Sequence, residues 1–271
     1  MRRLWICLLI LGLALGTLLP NLALAGAVIP GVFNSNNLPA NDDGYTGFVS
    51  LGFDANFYGT TYTGLYVNNN GNVTFNGGYY NYTPWGLTSA GIPPMIAPFF
   101  ADVDTRAGNV MTYGTGTYGG HNAFGVNWIN VGYFYEHTDK LNTFQLVLID
   151  RSDVAAGDFD IMFNYNQIQW ETGDASDGSG GLGGYSAHVG YSNGSGVAGT
   201  YYEFPGSGVN GAFLDGGPDA LISGTNVGLA GRYLFEVRSG VVNVVPLPPT
   251  VLLMDSGLLG LAGLGAWRKR S

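Results

Sequence analysis

The 271-residue sequence has one cysteine, Cys7. Everything after it therefore has no internal disulfide, no thiol nucleophile and no cysteine-ligated zinc site. A lipoprotein anchor is also excluded, because a lipidated cysteine follows the apolar part of a leader and Cys7 precedes most of it. Charge is the second scarcity: Asp, Glu, Lys and Arg make up 11% of the residues. Five of the ten basic residues sit at the ends (Arg2, Arg3, Arg268, Lys269, Arg270), leaving five against eighteen acids between residues 42 and 238. A stretch with a net charge of −13 is no phosphate-binding surface, so a nucleic-acid partner is excluded. The three histidines (His121, His137, His188) have no metalloprotease spacing, and no G-x-S-x-G nucleophile turn occurs.

Glycine (45 residues) and aromatics (14%) are abundant. That balance favours short strands joined by tight turns over helices. With 46% hydrophobic residues the chain can build a core and is not disordered. The expected fold is all-β: a single antiparallel β-sandwich-like domain flanked by a signal peptide and a C-terminal transmembrane sorting helix.

Met1-Arg-Arg, the apolar stretch Leu4 to Leu19, and Ala23-Leu-Ala25 have the layout of an export leader with cleavage after Ala25. Residues 1–25 are thus assigned as signal peptide and 26–47 as an N-terminal segment containing a turn at Asn41-Asp-Asp-Gly44. Strands are expected at 48–53, 110–113, 123–128, 131–135, 144–149, 159–165 and 187–191. The 144–149 strand reads as buried on both faces, and the 159–165 strand as having one wetter face. Asn70-Gly71, flanked by Leu65, Val67, Val73 and Phe75, predicts a type I′ hairpin turn. The run Met95 to Ala101, leading into Asp102, Asp104 and Arg106, reads as a core strand ending at an exposed polar turn.

Five segments, in order, resemble the nidogen-type extracellular domain. They are Phe53-Asp-Ala-Asn-Phe-Tyr-Gly-Thr-Thr-Tyr62 with the Asn-Gly turn; Ile96-Ala-Pro-Phe-Phe-Ala-Asp-Val-Asp-Thr-Arg106; Phe163-Asn-Tyr165 with Gln167-Ile-Gln-Trp-Glu-Thr-Gly173; Tyr201-Tyr-Glu-Phe-Pro-Gly-Ser207; and Asn226-Val-Gly-Leu-Ala-Gly-Arg-Tyr-Leu-Phe-Glu-Val237. Phe204, Ala230 and Tyr233 depart from the family pattern. The resemblance covers 48–238 and implies a non-enzymatic role in cell–matrix adhesion.

Beyond a linker at 239–250 the character changes. A sorting motif of Val245, Pro246, Leu247 and Pro248 is followed by a mostly apolar stretch at 251–267 and a basic end at 268–271. Seventeen helical residues reach about 26 Å, enough for a thin bilayer, with the basic end cytoplasmic. This tail resembles the PEP-CTERM signal of exported Gram-negative bacterial proteins, which implies a transient membrane anchor and exosortase cleavage near Pro246 to Pro248. Leu247 stands where the type pattern has glutamate.

Candidate binding residues follow from chemistry. Asp102, Asp104 and Asn109 offer oxygen ligands for calcium, with an ion pair to Arg106 or backbone capping as the alternative. Two carboxylates two positions apart on a strand also have glycosidase spacing. Asp174 to Ser179 is faintly like a calcium loop but has no terminal glutamate. Tyr79, Tyr80 and Tyr82 can stack on sugars or a protein partner, or cover the open end of a sheet. Arg232 reads as a salt bridge or carbonyl clamp on the last strand. The function expected is that of an exported surface or matrix protein in adhesion or biofilm, whose partners are surface proteins or matrix polysaccharide. The alternative is a secreted carbohydrate-binding or carbohydrate-active protein.

Overall fold

The computed structural model describes residues 26–244. The expected leader, with its expected cleavage site at Ala23 and Ala25, lies outside the described residues. So do the expected sorting motif of Val245, Pro246, Leu247 and Pro248, the apolar stretch at 251–267 and the basic end at 268–271. Among the described residues, no helix is long and apolar enough to cross a membrane.

Two antiparallel sheets account for the fold. The strands in chain order are β1 (Asn36–Asn37), β2 (Val49–Phe57), β3 (Thr60–Asn68), β4 (Asn72–Thr74), β5 (Met95–Phe100), β6 (Val103–Asp104) and β7 (Thr112–Tyr118). They continue as β8 (His121–Tyr133), β9 (His137–Asp150), β10 (Phe159–Gln167), β11 (His188–Ser192), β12 (Tyr201–Glu203), β13 (Arg232–Arg238) and β14 (Val241–Val244). One sheet runs β1-β7-β8-β9-β10-β13-β14, with β6 joined to β8; the other runs β12-β11-β5-β4-β3-β2. Their facing sides share one buried cluster, to which Leu65, Val67, Val73 and Ile96 come from the second sheet and Val126, Trp128, Phe144, Leu146 and Ile161 from the first. Period-two alternation generates that face. Trp128 and Phe144 are register partners and stack at 5.0 Å between ring centres.

Both outer faces are covered as well. Residues 29–33 cross the outside of the first sheet, where Phe33, Ile29 and Val32 pack on Ala123, Val147, Ile149 and Met162. On the outside of the second sheet, Leu87, Tyr79 and Ile92 of the 76–93 loop pack on Met95, Ala97 and Phe100. This covering corrects one expectation. The face of β10 read as wetter is buried, with Asp160 at 4% and Asn164 at 0% exposure. Asn164 donates to Gln145 at 2.9 Å, which in turn bonds Ile29 of the N-terminal segment, and Asp160 pairs with Arg151 at 3.0 Å and Arg238 at 2.7 Å.

Two other expectations change. The strands expected at 123–128 and 131–135 are one strand, β8, whose register shifts between Trp128 and Val131 beside Asn130 at φ 53°. A local bulge thus kinks the strand where a break was expected. The Asn70-Gly71 hairpin exists, but Asn68 pairs with Asn72, so the loop is three residues and only Gly71 has positive φ (71°). Any Cβ on Gly71 would overlap the Phe99 carbonyl, so glycine is needed there for close approach as well as φ. Two-residue turns with both φ positive do occur, at Tyr58-Gly59 between Phe57 and Thr60, at Gly119-Gly120 between Tyr118 and His121, and at Ser239-Gly240 between Arg238 and Val241.

Candidate functional site

At one end of the sandwich the 41–44 loop, the β3–β4 turn, the 101–106 segment and the 172–174 loop converge. The sequence provides the ties. Asn41 accepts the Gly44 N–H on its side chain at 2.6 Å, closing the turn. Thr105 clasps the same residue: its hydroxyl accepts the Asn41 N–H at 3.0 Å and donates to the Asn41 carbonyl at 2.8 Å. Asn69 donates to the Val103 carbonyl at 2.5 Å and also to the Asp42 carbonyl. Asn70 accepts the Val103 N–H at 3.0 Å and donates to the Asp43 carboxylate at 2.8 Å. The fully buried Trp128 indole donates to the Asn69 carbonyl at 3.0 Å, fixing the turn to the core.

These ties gather Asp42, Asp43 and Asp102, with one carboxylate oxygen of each within 4.8 Å of the others. Asp102 is 1% exposed. Neither of its carboxylate oxygens has a hydrogen-bond partner, nor has Oδ1 of Asp42. Gly173 makes the room, since a Cβ there would overlap the Asp102 carboxylate. Burial, with the charges of Asp42, Asp43, Asp104 and Asp174, pushes the Asp102 pKa up to about 8. Burial and Asp43 push Asp42 up to about 7. Asp43 is raised too, chiefly by burial.

Asp104 faces a different partner. Its carboxylate takes the Arg106 guanidinium at 3.0 Å on Oδ1 and 2.5 Å on Oδ2, and accepts the N–H groups of Arg106 at 3.0 Å and Glu136 at 2.9 Å. Burial opposes its ionisation, but these bonds outweigh it and hold its pKa below the usual carboxylate value. The turn expected to be exposed is therefore buried, since Asp102 and Asp104 are both 1% exposed. The loops that close over them explain the difference. Asn109 stands apart, donating to the Ile129 carbonyl at 3.1 Å. Asp174 bonds His137 at 2.9 Å, and Asp177 is exposed.

Because the folded-state pKa of Asp104 is lowered, its stabilisation is present above the unfolded value of 3.8 and is lost as pH falls through the folded value. Asp104→Ala should cost about 2 kcal/mol in urea melts at pH 7, the range for charged hydrogen bonds discounted for the third-exposed Arg106. The difference from the parent should shrink below about pH 3. An undiminished difference there would show that lost packing, not charge, sets the cost.

The tyrosines divide. Tyr79 is half-buried, with its ring 6.0 Å from Phe100. Tyr80, Tyr82 and Trp85 are exposed, and Trp85 packs edge-on against exposed Tyr185 at 4.9 Å. Arg232 binds the Asn164 side chain at 2.7 Å, the Tyr118 hydroxyl at 2.9 Å and the Ala27 carbonyl at 2.7 Å. It is a clamp with one carbonyl, and it lies on β13 with β14 outside it. Asp42, Asp43 and Glu171 escaped the reading from sequence. An Asp-Asp pair in an Asn/Gly turn signals only the turn, and nothing in sequence separation links it to Asp102.

The sequence from residue 63 to 239 matches the profile of the nidogen-like domain, in two overlapping stretches at 63–119 and 113–239. The chain belongs to the nidogen-like domain family. It is 30% identical over 230 residues to alpha-tectorin of Homo sapiens and 31% to that of Mus musculus, spanning 75% of this chain and 10% of each relative. Against nidogen of Drosophila melanogaster it is 31% identical over 235 residues, spanning 76% of this chain and 16% of the relative. The nidogen-like chain thus spans between a tenth and a sixth of the length of these relatives. No solved structure matches it.

Proposed function

We propose that this nidogen-like chain is an exported, non-enzymatic surface or matrix protein that contributes to cell–matrix adhesion or to biofilm and exopolysaccharide association. The observation that carries the reading is the family match across 63–239, together with its similarity to proteins named nidogen and alpha-tectorin. The geometry of the acid pair supports it against the carbohydrate-active alternative. Glycosidase chemistry needs two carboxylates facing one substrate space, and Asp104 is committed to Arg106 and two backbone N–H groups. The leader and the tail, with its motif of Val245, Pro246, Leu247 and Pro248, support export, transient inner-membrane anchoring and exosortase processing in a Gram-negative bacterium.

A carbohydrate-binding reading has one observation of its own, the exposed strip of Tyr80, Tyr82, Trp85 and Tyr185. Rings presented to solvent can stack on sugar faces. One comparison separates the readings. The purified protein is bound to the host's exopolysaccharide and to its surface-protein extract, with glycan turnover assayed alongside. Saturable binding without turnover is expected, and a loss of at least tenfold for the polysaccharide in Tyr80→Ala/Trp85→Ala would assign sugar binding to the exposed rings. Turnover abolished by Asp104→Asn would overturn the non-enzymatic reading.

A further inference from the structure

We infer that Asp42, Asp43 and Asp102 form a divalent-cation site, best suited to calcium, that pins the 41–44 loop onto the end of the sandwich. The charge arrangement motivates it. Three carboxylates converge, with mutual oxygen separations inside 4.8 Å. Calcium–oxygen bonds of about 2.4 Å allow ligand pairs up to about 4.8 Å apart. Calcium also accepts irregular sets of carboxylates and waters, whereas magnesium demands near-ideal octahedral geometry.

A cluster of acids is by itself ordinary on a surface. This one has a buried member: Asp102 is 1% exposed, its two oxygens and Oδ1 of Asp42 have no hydrogen-bond donor, and it is aimed at the other two acids. A buried carboxylate normally takes N–H or O–H donors. Donors are at hand in the same turn, yet they go elsewhere. Asn69 serves carbonyls, Asn70 serves Asp43, and Arg106 serves Asp104. Arg106 does reach Asp42 Oδ2 at 3.3 Å, but that leaves Asp42 Oδ1 and both oxygens of Asp102 without a donor.

Asp42 and Asp43 are only part-buried, which gives a cation a route in and leaves room for water to fill the six to eight positions calcium takes. Gly173 keeps the Asp102 carboxylate free of a Cβ contact. The loop so pinned joins the N-terminal segment to β2, so the ion ties a strap on the first sheet to an edge of the second.

The experiment uses the full chain, stripped with EDTA, desalted, and titrated with CaCl2 or MgCl2 while thermal melting and calorimetric heat are followed. Calcium should raise the melting temperature saturably. At 100 times Kd it should multiply the folded-to-unfolded ratio about 100-fold. Asp102→Asn should lose the calcium shift and, in EDTA, melt at or above the parent, because it removes a buried carboxylate repelled by its neighbours. Asp43→Asn, whose side chain reaches solvent, should fold regardless and weaken calcium binding at least tenfold. The exposed Asp54→Asn should leave binding unchanged. A parent chain that is folded but shows neither heat nor a melting shift at about 10 mM calcium, well beyond the weak end of extracellular sites, overturns the assignment. So does a calcium affinity undiminished in Asp43→Asn or lost in Asp54→Asn.

Discussion

Glu171→Ala is expected to destabilise the protein by about 3 kcal/mol and to release the 205–221 loop. Glu171 is fully buried. Its Oε1 accepts the Phe213 N–H at 2.6 Å and its Oε2 the Gly211 N–H at 2.5 Å. The same loop is also held by Asp215, whose N–H meets the Ile168 carbonyl at 2.8 Å and whose carboxylate takes the Ile168 N–H at 2.9 Å, and by Gly208, whose N–H meets the Ala187 carbonyl at 3.0 Å. Truncating Glu171 orphans a buried donor at Phe213 and a partly hydrated one at Gly211, at about 1–3 kcal/mol for each buried group. Glu171→Gln should cost nearly as much, because its amide can accept only one of the two N–H groups and turns a donor toward the other.

The pH dependence has a defined sign. Burial raises the Glu171 pKa, opposed by the N–H groups of Phe213, Gly211 and Leu214. The advantage of the parent over Glu171→Ala should therefore be complete below the unfolded value of 4.5 and decline as pH rises through the folded value. Urea melts at several pH values give the sign, and hydrogen exchange at Gly211 and Phe213 reports the loop. Unchanged protection there in Glu171→Ala would refute the pin.

The β character was legible because it is written locally, in glycine and aromatic abundance and in the alternation of Phe144 to Ile149 and Phe159 to Tyr165. What failed was the assumption that one face of a strand meets water. Asp160 and Asn164 look like solvent-side residues, yet both are buried: Arg151 and Arg238 close over Asp160, and Asn164 bonds Gln145, which holds a segment more than a hundred residues away in sequence. The site was half-legible for the same reason. Asp102 announced itself beside a family motif. Asp42 and Asp43 belong to it only because Thr105, Asn69 and Asn70 fold the 41–44 loop inward, and no pattern of spacing encodes that approach. Asp104, equal to Asp102 in sequence terms, is distinguished by Arg106 two residues on, which satisfies the one and leaves the other.

Gln145→Leu is expected to be the most damaging single change outside the sandwich core, at about 5 kcal/mol. Asn127, Gln145, Asn164 and Arg232 are successive register partners across β8, β9, β10 and β13. They make one continuous polar row on the outer face. Gln145 donates to Asn127 at 2.7 Å and accepts from Asn164 at 2.9 Å, and Arg232 donates to Asn164 at 2.7 Å. The row grips the backbone of the N-terminal segment. Gln145 accepts the Ile29 N–H at 3.2 Å and donates to its carbonyl at 3.1 Å, Asn127 takes the carbonyls of Val32 and Phe33, and Arg232 takes that of Ala27. Leucine in place of Gln145 leaves four polar partners wanting, at about 1–3 kcal/mol each. The chain can limit the loss by lifting the strap and letting water satisfy Ile29, but it then exposes Phe33, Ile29 and Val32 and the apolar surface beneath them. Hydrogen exchange and limited proteolysis should place the opening at residues 26–34. Arg232→Ala attacks the same strap from its other end. The double variant should lose clearly less than the sum of the two single losses, because a strap already lifted has little left to forfeit. Additive losses would mean that the row stabilises the sheet alone and that the strap is held by its apolar side chains.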